Sequence, residues 1–325
     1  MNVYCSSPWI PAEWIEAHSL QPRGVWSAGE FGRGAMPLAA GVCAFAEAVL
    51  QFADAHPEAA TIFTTSCDQM RRGFDTFSAA QGGRAFLFNI PATWQSDAAR
   101  RMFQSELERL GRFLENLGGS APTAGKLSRS IADRAQTRQR LLAAAPRSSA
   151  RQFAEAVARF HWDGSFALSD ASPPPASDSV PLALVGGPLT ASEWRVLDLI
   201  EAAGARVVLN GTETGERSLL PIFRAEGASA EDPCDFLTRQ YFENIVDVFQ
   251  RPNSRLYSWL KERLAPRGAR GIVLWVHTGC DFWRAEIETL REAFRLPVLL
   301  LEADETLAGS PREANRLEAF VETLR

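Results

Sequence analysis

The sequence predicts an α/β fold made of two parallel-sheet domains with a helical segment between them. The chain has 325 residues, whereas one compact domain usually has roughly 100–200. Short apolar strands alternate with helical segments in both halves, which is typical of a parallel sheet covered by helices. Between the halves, residues from about 95 to 162 have helical periodicity throughout.

The first half begins with a stretch rich in proline, tryptophan and glycine, in which a short helix is predicted at 11–17. A helix over 38–52 and a β-branched strand over 61–64 follow. The next helix begins at Cys67, and an apolar strand covers 85–90. In the helical segment, an apolar stripe ends at a glycine pair at 118–119, which is a typical helix stop.

A proline- and serine-rich segment at 170–179 predicts a linker, so we place the domains at 1–169 and 180–325. Thr190 and Glu193 have capping-box spacing at the start of a helix that ends near 203. We also allow for the last helix packing back on the first domain. The second domain is predicted to contain strands at 180–185, 206–209, 271–276 and 297–301, and helices at 234–264, 281–294 and 311–324.

Composition excludes several classes of partner. Lys and Arg total 34 against 39 Asp and Glu, a net charge of −5, so no large positive field is available for nucleic acid or anionic lipid. The arginine-rich run at 129–140 contains an aspartate and no aromatic residue, and we interpret it as a solvated helix face. We see neither a membrane-length apolar run nor a signal peptide, and expect a cytoplasmic protein with reduced cysteines.

Two of the five cysteines have the same local setting. Cys67 and Cys280 each follow a strand, begin a helix and precede an aspartate. A helix N-terminus stabilises a thiolate, and open parallel sheets bind ligands beyond the carboxyl ends of their strands. Cys43, in the preceding helix, can reach the same point. The alternative is that these are buried structural thiols, since cysteine is among the most buried residue types.

Three thiolates around one point favour an iron–sulfur cluster with an open fourth position over structural zinc. Structural zinc usually comes with close Cys-x-x-Cys pairs, and this sequence has none. Because the three cysteines are far apart along the chain, spacing alone does not decide between a cluster and buried thiols.

Several longer motifs resemble one family. These are Pro-Ala-Glu-Trp-Ile at 11–15, the approach to Cys43 from 37, Thr-Ser-Cys-Asp-Gln-Met-Arg-Arg at 65–72, Gly-Glu-Arg at 215–217, Gly-Cys-Asp at 279–281, and the ending at 297–304 and 316–322. They resemble the 2-hydroxyacyl-CoA dehydratase family, which also contains benzoyl-CoA reductase subunits and double-cubane cluster proteins. The resemblance covers most of the chain.

The resemblance implies two flavodoxin-like domains with a [4Fe-4S] cluster between them, held by Cys43, Cys67 and Cys280. It implies an acyl-CoA thioester substrate, converted by radical dehydration or one-electron reduction. The implied protein partners are a homologous second subunit or a second copy of the chain, and an ATP-dependent iron–sulfur activator. The alternatives are a benzoyl-CoA reductase-type or double-cubane reductase subunit, in which Cys5 is a further ligand, and a non-catalytic partner subunit.

Four further residues are candidate site residues under the same resemblance. Ser7 and Glu13 are predicted catalytic residues that contact the thioester, with balancing of the helix dipole as the alternative for Glu13. Thr190 and Arg217 are predicted to bind CoA phosphates, with structural roles as the alternative. The chain departs from the family where Asn-Gly-Thr-Glu at 210–213 replaces the Asp-Asp-x-Cys of many members, and where Ser19 replaces a glycine. These departures leave the acyl group open.

Overall fold

The first sheet of the protein has four strands, which are β1 (Asn2–Cys5), β2 (Gln21–Gly24), β3 (Ala60–Thr64) and β4 (Ala85–Phe88). They are parallel and lie in the order β2-β1-β3-β4. The structure is a computed structural model, and it describes residues 1–28, 41–168, 178–220, 232–303 and 311–325. Every residue of β3 is buried, as expected for a central strand of a parallel sheet covered on both faces.

The second sheet repeats this arrangement with β5 (Val180–Gly186), β6 (Ala205–Thr212), β7 (Gly271–His277) and β8 (Val298–Ala303). These four strands are also parallel, and they lie in the order β6-β5-β7-β8. In both sheets the first strand lies between the second and the third, which is the strand order of flavodoxin-like folds. The predicted α/β class with two flavodoxin-like domains is confirmed.

Helices cover the sheets and fill the segment between them. They are α1 (Ala12–Ala17), α2 (Ala44–Ala55), α3 (Asp68–Gln81), α4 (Asp97–Asn116), α5 (Ala124–Ala144), α6 (Ala150–Asp163), α7 (Arg195–Ala202), α8 (Pro233–Tyr241), α9 (Ser254–Leu264), α10 (Asp281–Arg284), α11 (Ile287–Phe294) and α12 (Pro311–Glu322). Side-chain oxygens of Ser96, Thr123 and Ser149 cap α4, α5 and α6. None of the described helices combines the length and apolarity needed to cross a membrane.

The structure differs from the predicted elements in three regions. The helix predicted over 281–294 is two short helices, α10 and α11. Strands β1 and β2 lie in the stretch where only a short helix was predicted, and the edge position of β2 tolerates Pro22. The predicted helix over 234–264 is two helices, α8 and α9, separated by a twelve-residue segment at 242–253. Pro252 has no N–H to continue a helix ladder there. Most of the predicted linker and the start of the predicted helix at 38–52 lie outside the described residues.

Each half contributes a helix to the core of the other half. Helix α8 packs on α4, where Phe103 and Phe242 stack with ring centroids 5.1 Å apart. In the opposite direction, α6 contacts β2 and also α7, and its Ala150 and Ala154 belong to the core of the second sheet. The last helix, α12, packs on α7 and β8. The exchange of α6 and α8 fixes how the two sheets face each other.

A buried ion pair also joins elements from different parts of the chain. Glu13 on α1 lies 2.6 Å from the guanidinium of Arg138 on α5, and the hydroxyl of Tyr241 on α8 donates a hydrogen bond to the same carboxylate. Burial alone would raise the pKa of Glu13, but the neighbouring Arg138 and Arg134 lower it below its ordinary value. Glu13 is therefore held as an anion inside the protein.

We expect Glu13→Gln to lower the free energy of unfolding by about 3–5 kcal/mol, because it removes the buried carboxylate that is paired with Arg138. The difference from wild type should shrink as the pH falls through the lowered pKa of Glu13, where the native carboxylate itself is lost. Urea unfolding followed by tryptophan fluorescence measures the change. Glu318→Gln, at an exposed position of α12, is the control and should stay within about 0.5 kcal/mol. A loss below about 1 kcal/mol for Glu13→Gln would contradict the assignment.

Candidate functional site

A cavity of about 70 Å³ lies where the carboxyl ends of the two sheets face each other. Its wall includes residues that end or directly follow strands of both sheets: Ser6 after β1, Cys67 after β3, Pro188 after β5, Glu213 after β6 and His277 at the end of β7. A single water needs about 10–15 Å³, so the cavity can hold a larger group. Ligands of open parallel sheets bind at this edge.

All three predicted cluster cysteines line this one cavity. Cys43 directly precedes α2, Cys67 directly precedes α3, and Cys280 directly precedes α10. The sulfur of Cys43 accepts the backbone N–H of Ala46 at 3.5 Å, and that of Cys67 accepts the N–H of Met70 at 3.4 Å. These donors stabilise negative charge on sulfur, as backbone groups around metal-bound thiolates do.

In the absence of a cation, the three thiols are nevertheless held protonated. Burial raises the pKa of Cys67 to about 12 and that of Cys280 to about 11, and it also raises the pKa of Cys43. Burial therefore outweighs the backbone N–H donors. No Lys or Arg is among the described residues that line the cavity, so a bound metal group would have to supply the positive charge that converts these thiols to thiolates.

Two carboxyl groups share the cavity with the thiols. The Glu213 carboxyl accepts a hydrogen bond from the Ser7 hydroxyl at 2.9 Å, and burial, together with the nearby Asp247, raises its pKa to about 8. Asp247 is paired with the guanidinium of Arg217 at 2.7 Å. The guanidinium of Arg217 is thus paired with Asp247 rather than with Glu213.

The remaining lining is largely apolar, and its polar members are Ser6, Ser66 and His277. The Ser6 hydroxyl is buried and has no hydrogen-bond partner within the described structure. Apolar side chains keep water away from the sulfurs and lower the local dielectric constant, which are two means by which a protein tunes a metal group. They are Phe45, Met70, Val248, Phe249, Phe282 and Trp283.

The predicted catalytic residues lie outside the cavity lining. Ser7 is buried and reaches the cavity indirectly, through its hydrogen bond to Glu213. Glu13 is fully buried in its pair with Arg138 and Tyr241 and does not line the cavity. Its contacts support a structural role, and a catalytic role for either residue stays a prediction.

Thr190 and Arg217 have contacts that satisfy them within the protein. The capping box expected from sequence spacing is present: the Thr190 hydroxyl donates to Glu193 at 2.7 Å, and its backbone N–H donates to the same carboxylate at 2.8 Å. Arg217 is fully buried and donates to Asp247 and to the carbonyl oxygens of Gly211, Val246 and Gly186. Nothing in these surroundings supports phosphate binding, which stays a prediction for both residues.

The other two cysteines face different parts of the protein. Cys5 lines a separate cavity of about 20 Å³ beside Arg134, and burial raises its pKa to about 12. Cys234 belongs to the apolar core around the first sheet. Neither lines the cavity of the three cysteines.

Sequence reasoning missed part of the cavity wall. Asp247, Val248 and Phe249 come from the segment between α8 and α9 that was predicted to be helical, and Ser6 was not singled out. The run Asn-Ile-Val-Asp-Val-Phe at 244–249 contains three β-branched residues in six, which is a signal against a helix. Glu213 was noted only as a departure from a family motif.

Within the described ranges, no group of three or more His, Cys, Asp or Glu side chains is arranged to hold a single metal ion. No curated protein matches the chain. The family model described as 2-hydroxyglutaryl-CoA dehydratase, D-component, matches residues 9–324, which is nearly the whole chain. With two flavodoxin-like domains and three cysteines on one cavity between them, the chain belongs to this dehydratase D-component family.

Proposed function

We propose that this chain is the iron–sulfur subunit of a 2-hydroxyacyl-CoA dehydratase-type enzyme, with a [4Fe-4S] cluster bound by Cys43, Cys67 and Cys280. The reaction we assign is radical dehydration, or one-electron reduction, of an acyl-CoA thioester. One observation carries the proposal: three cysteines that are far apart in sequence line one cavity between the two sheets, in a chain of a dehydratase family.

The cavity suits a cluster better than a single ion. A single ion needs its ligands within about 2.3 Å, and no such group exists among the residues described. In a cluster each thiolate binds a different iron, so the sulfurs lie farther apart. The backbone N–H groups at Cys43 and Cys67 add the hydrogen bonds to sulfur that help set the potential of such clusters.

The proposed reaction requires what this cavity offers. The β-hydrogen of a 2-hydroxyacyl thioester is barely acidic, so simple base-catalysed dehydration is slow. When bound, the cluster supplies a low-potential electron and an iron that acts as a Lewis acid. The chain contributes the three thiol ligands and an apolar wall, including Phe249 and Trp283, that keeps water from a reactive radical.

A second candidate is a partner subunit that carries the cluster without binding CoA itself. The saturated contacts of Thr190 and Arg217 favour it, since neither residue offers a donor to a phosphate. Turnover by the isolated chain with an ATP-dependent activator, compared with turnover by the chain paired with a homologous subunit, distinguishes the two. The position of Cys5 outside the cavity gives no support to the double-cubane alternative.

Anaerobic purification should yield roughly four irons and four acid-labile sulfides per chain. Each of Cys43→Ala, Cys67→Ala and Cys280→Ala should lower the iron content by at least half, because each removes a ligand from the shared cavity. Cys234→Ala is the matched control and should retain full iron content, and we expect the same of Cys5→Ala. Wild-type protein that takes up no iron on reconstitution, or equal loss in the Cys234 variant, would refute the proposal.

The raised thiol pKa values predict slow alkylation of the metal-free protein. Near pH 8 only about one in a thousand Cys280 side chains is a thiolate, against roughly one in four for an ordinary cysteine. Iodoacetamide labelling of Cys67 and Cys280, followed by peptide mass spectrometry, should accelerate close to tenfold per pH unit between pH 7 and 9. A rate that levels off below pH 9 would mean that these thiols ionise more easily than their burial implies.

A further inference from the structure

Glu213 is the acidic side chain of the cavity whose charge is least compensated by the protein. It directly follows β6 and lines the same cavity as the three cysteines. Among the described residues, its carboxylate accepts one hydrogen bond, from Ser7. The other oxygen therefore has no donor there to stabilise a negative charge.

Among the residues that the structure describes, no cation pairs with Glu213. Arg217 is the nearby positive charge, and it forms an ion pair with Asp247 while its other donors bind backbone carbonyls. In this position the negative charge of an ionised carboxylate is balanced only when a cation occupies the cavity.

The other polar groups of the cavity are less suited to bind such a cation. Asp247 uses one carboxylate oxygen for Arg217 and the other for the N–H of Phe249 at 3.3 Å. The Nε2 of His277 lies 2.9 Å from the carbonyl oxygen of Pro188. The Ser66 hydroxyl is hydrogen-bonded to that of Thr64 at 2.8 Å.

The Nδ1 of His277 also lacks a hydrogen-bond partner, but it faces the Glu193 carboxylate at 3.5 Å. That leaves Glu213 and the unpartnered hydroxyl of Ser6. A serine hydroxyl is neutral and would have to lose its proton to become a strong ligand, whereas a carboxylate oxygen binds iron readily. The charge balance of the cavity therefore favours the carboxylate.

We propose that Glu213 is the fourth protein ligand of the metal group, and that its carboxylate binds the iron for which the three cysteines provide no ligand. This inference rests on the proposed function, because it assumes that Cys43, Cys67 and Cys280 hold an iron–sulfur cluster. It assigns Ser7 a definite role as well: its hydroxyl holds one carboxylate oxygen at 2.9 Å and so orients the other.

The assignment changes what an incoming molecule meets in the cavity. The fourth iron is protected by a protein ligand at rest, so it is not lost readily and is not open to every small oxygen donor. A substrate oxygen reaches that iron only after the Glu213 carboxylate has moved away. The iron bound by Glu213 would also be distinguishable from the three that have a cysteine thiolate as their protein ligand.

Iron retention tests the proposal without any measurement of activity. Wild type, Glu213→Gln, Glu213→Ala and Glu213→Cys are reconstituted anaerobically, and iron is counted before and after brief oxidation with ferricyanide. Wild type should keep roughly four irons, while the Gln and Ala variants should lose about one and give the EPR signal of a three-iron cluster. Glu213→Cys should restore retention, because a thiolate can replace the carboxylate as ligand. Mössbauer spectra of wild type should show one iron with oxygen ligation.

Two further variants, Glu262→Gln and Ser6→Ala, serve as comparisons. Glu262→Gln, whose side chain is 72 % exposed, should behave as wild type, and thermal unfolding confirms that every variant is folded. Equal iron retention in wild type and Glu213→Ala would overturn the inference while leaving the cluster in place. Iron loss in Ser6→Ala but not in Glu213→Gln would assign the ligand to Ser6 and also overturn it. If wild type binds no iron, both the proposed function and this inference are wrong.

Discussion

The way in which the two halves exchange helices is the constraint on which the rest of the structure depends. Helix α8 follows the second sheet's β6 yet packs in the core of the first, and α6 precedes the second sheet yet packs against both. Two flavodoxin-like units joined by a simple linker could rotate against each other. Here any rotation would pull apart two apolar cores, so the carboxyl edges of the sheets stay opposed and the cavity between them has a fixed shape.

That cavity brings together acidic groups, and their ionised forms are unfavourable there unless a cation is present. Three half-buried thiols and two carboxyls face it, and among the described residues one arginine, Arg217, is paired with one of the carboxyls. Proteins seldom leave so many acidic groups together in a low-dielectric space without a counter-charge. A multiply charged metal group removes the difficulty at once: it replaces the thiol protons and stabilises the remaining carboxylate. The donor set and the electrostatics thus lead to the same conclusion.

The sequence predicts the parts of this design that are local. The strand–helix alternation, the capping box at Thr190 and the helix starts at Cys67 and Cys280 can be recognised within about ten residues. Strands β1 and β2 could not, because each has four residues and is stabilised by pairing with a neighbour rather than by its own pattern. The break between α8 and α9 was hidden for a similar reason: the apolar residues at 245–249 serve a core built by distant segments.

The two glutamates show most clearly where sequence reasoning ends. Glu13 lies in a family motif and was predicted to be catalytic, whereas Glu213 marks a departure from one. In the structure Glu13 meets Arg138, 125 residues away, and is held as a buried anion outside the cavity. Glu213 meets Asp247 and the hydroxyl of Ser7, and it faces the cysteines with no paired cation among the described residues. What decides the role of each carboxyl is the charge that the fold brings to it. Such a long-range pairing cannot be recognised in a single sequence, so the electrostatics of the folded chain must identify the functional carboxylate.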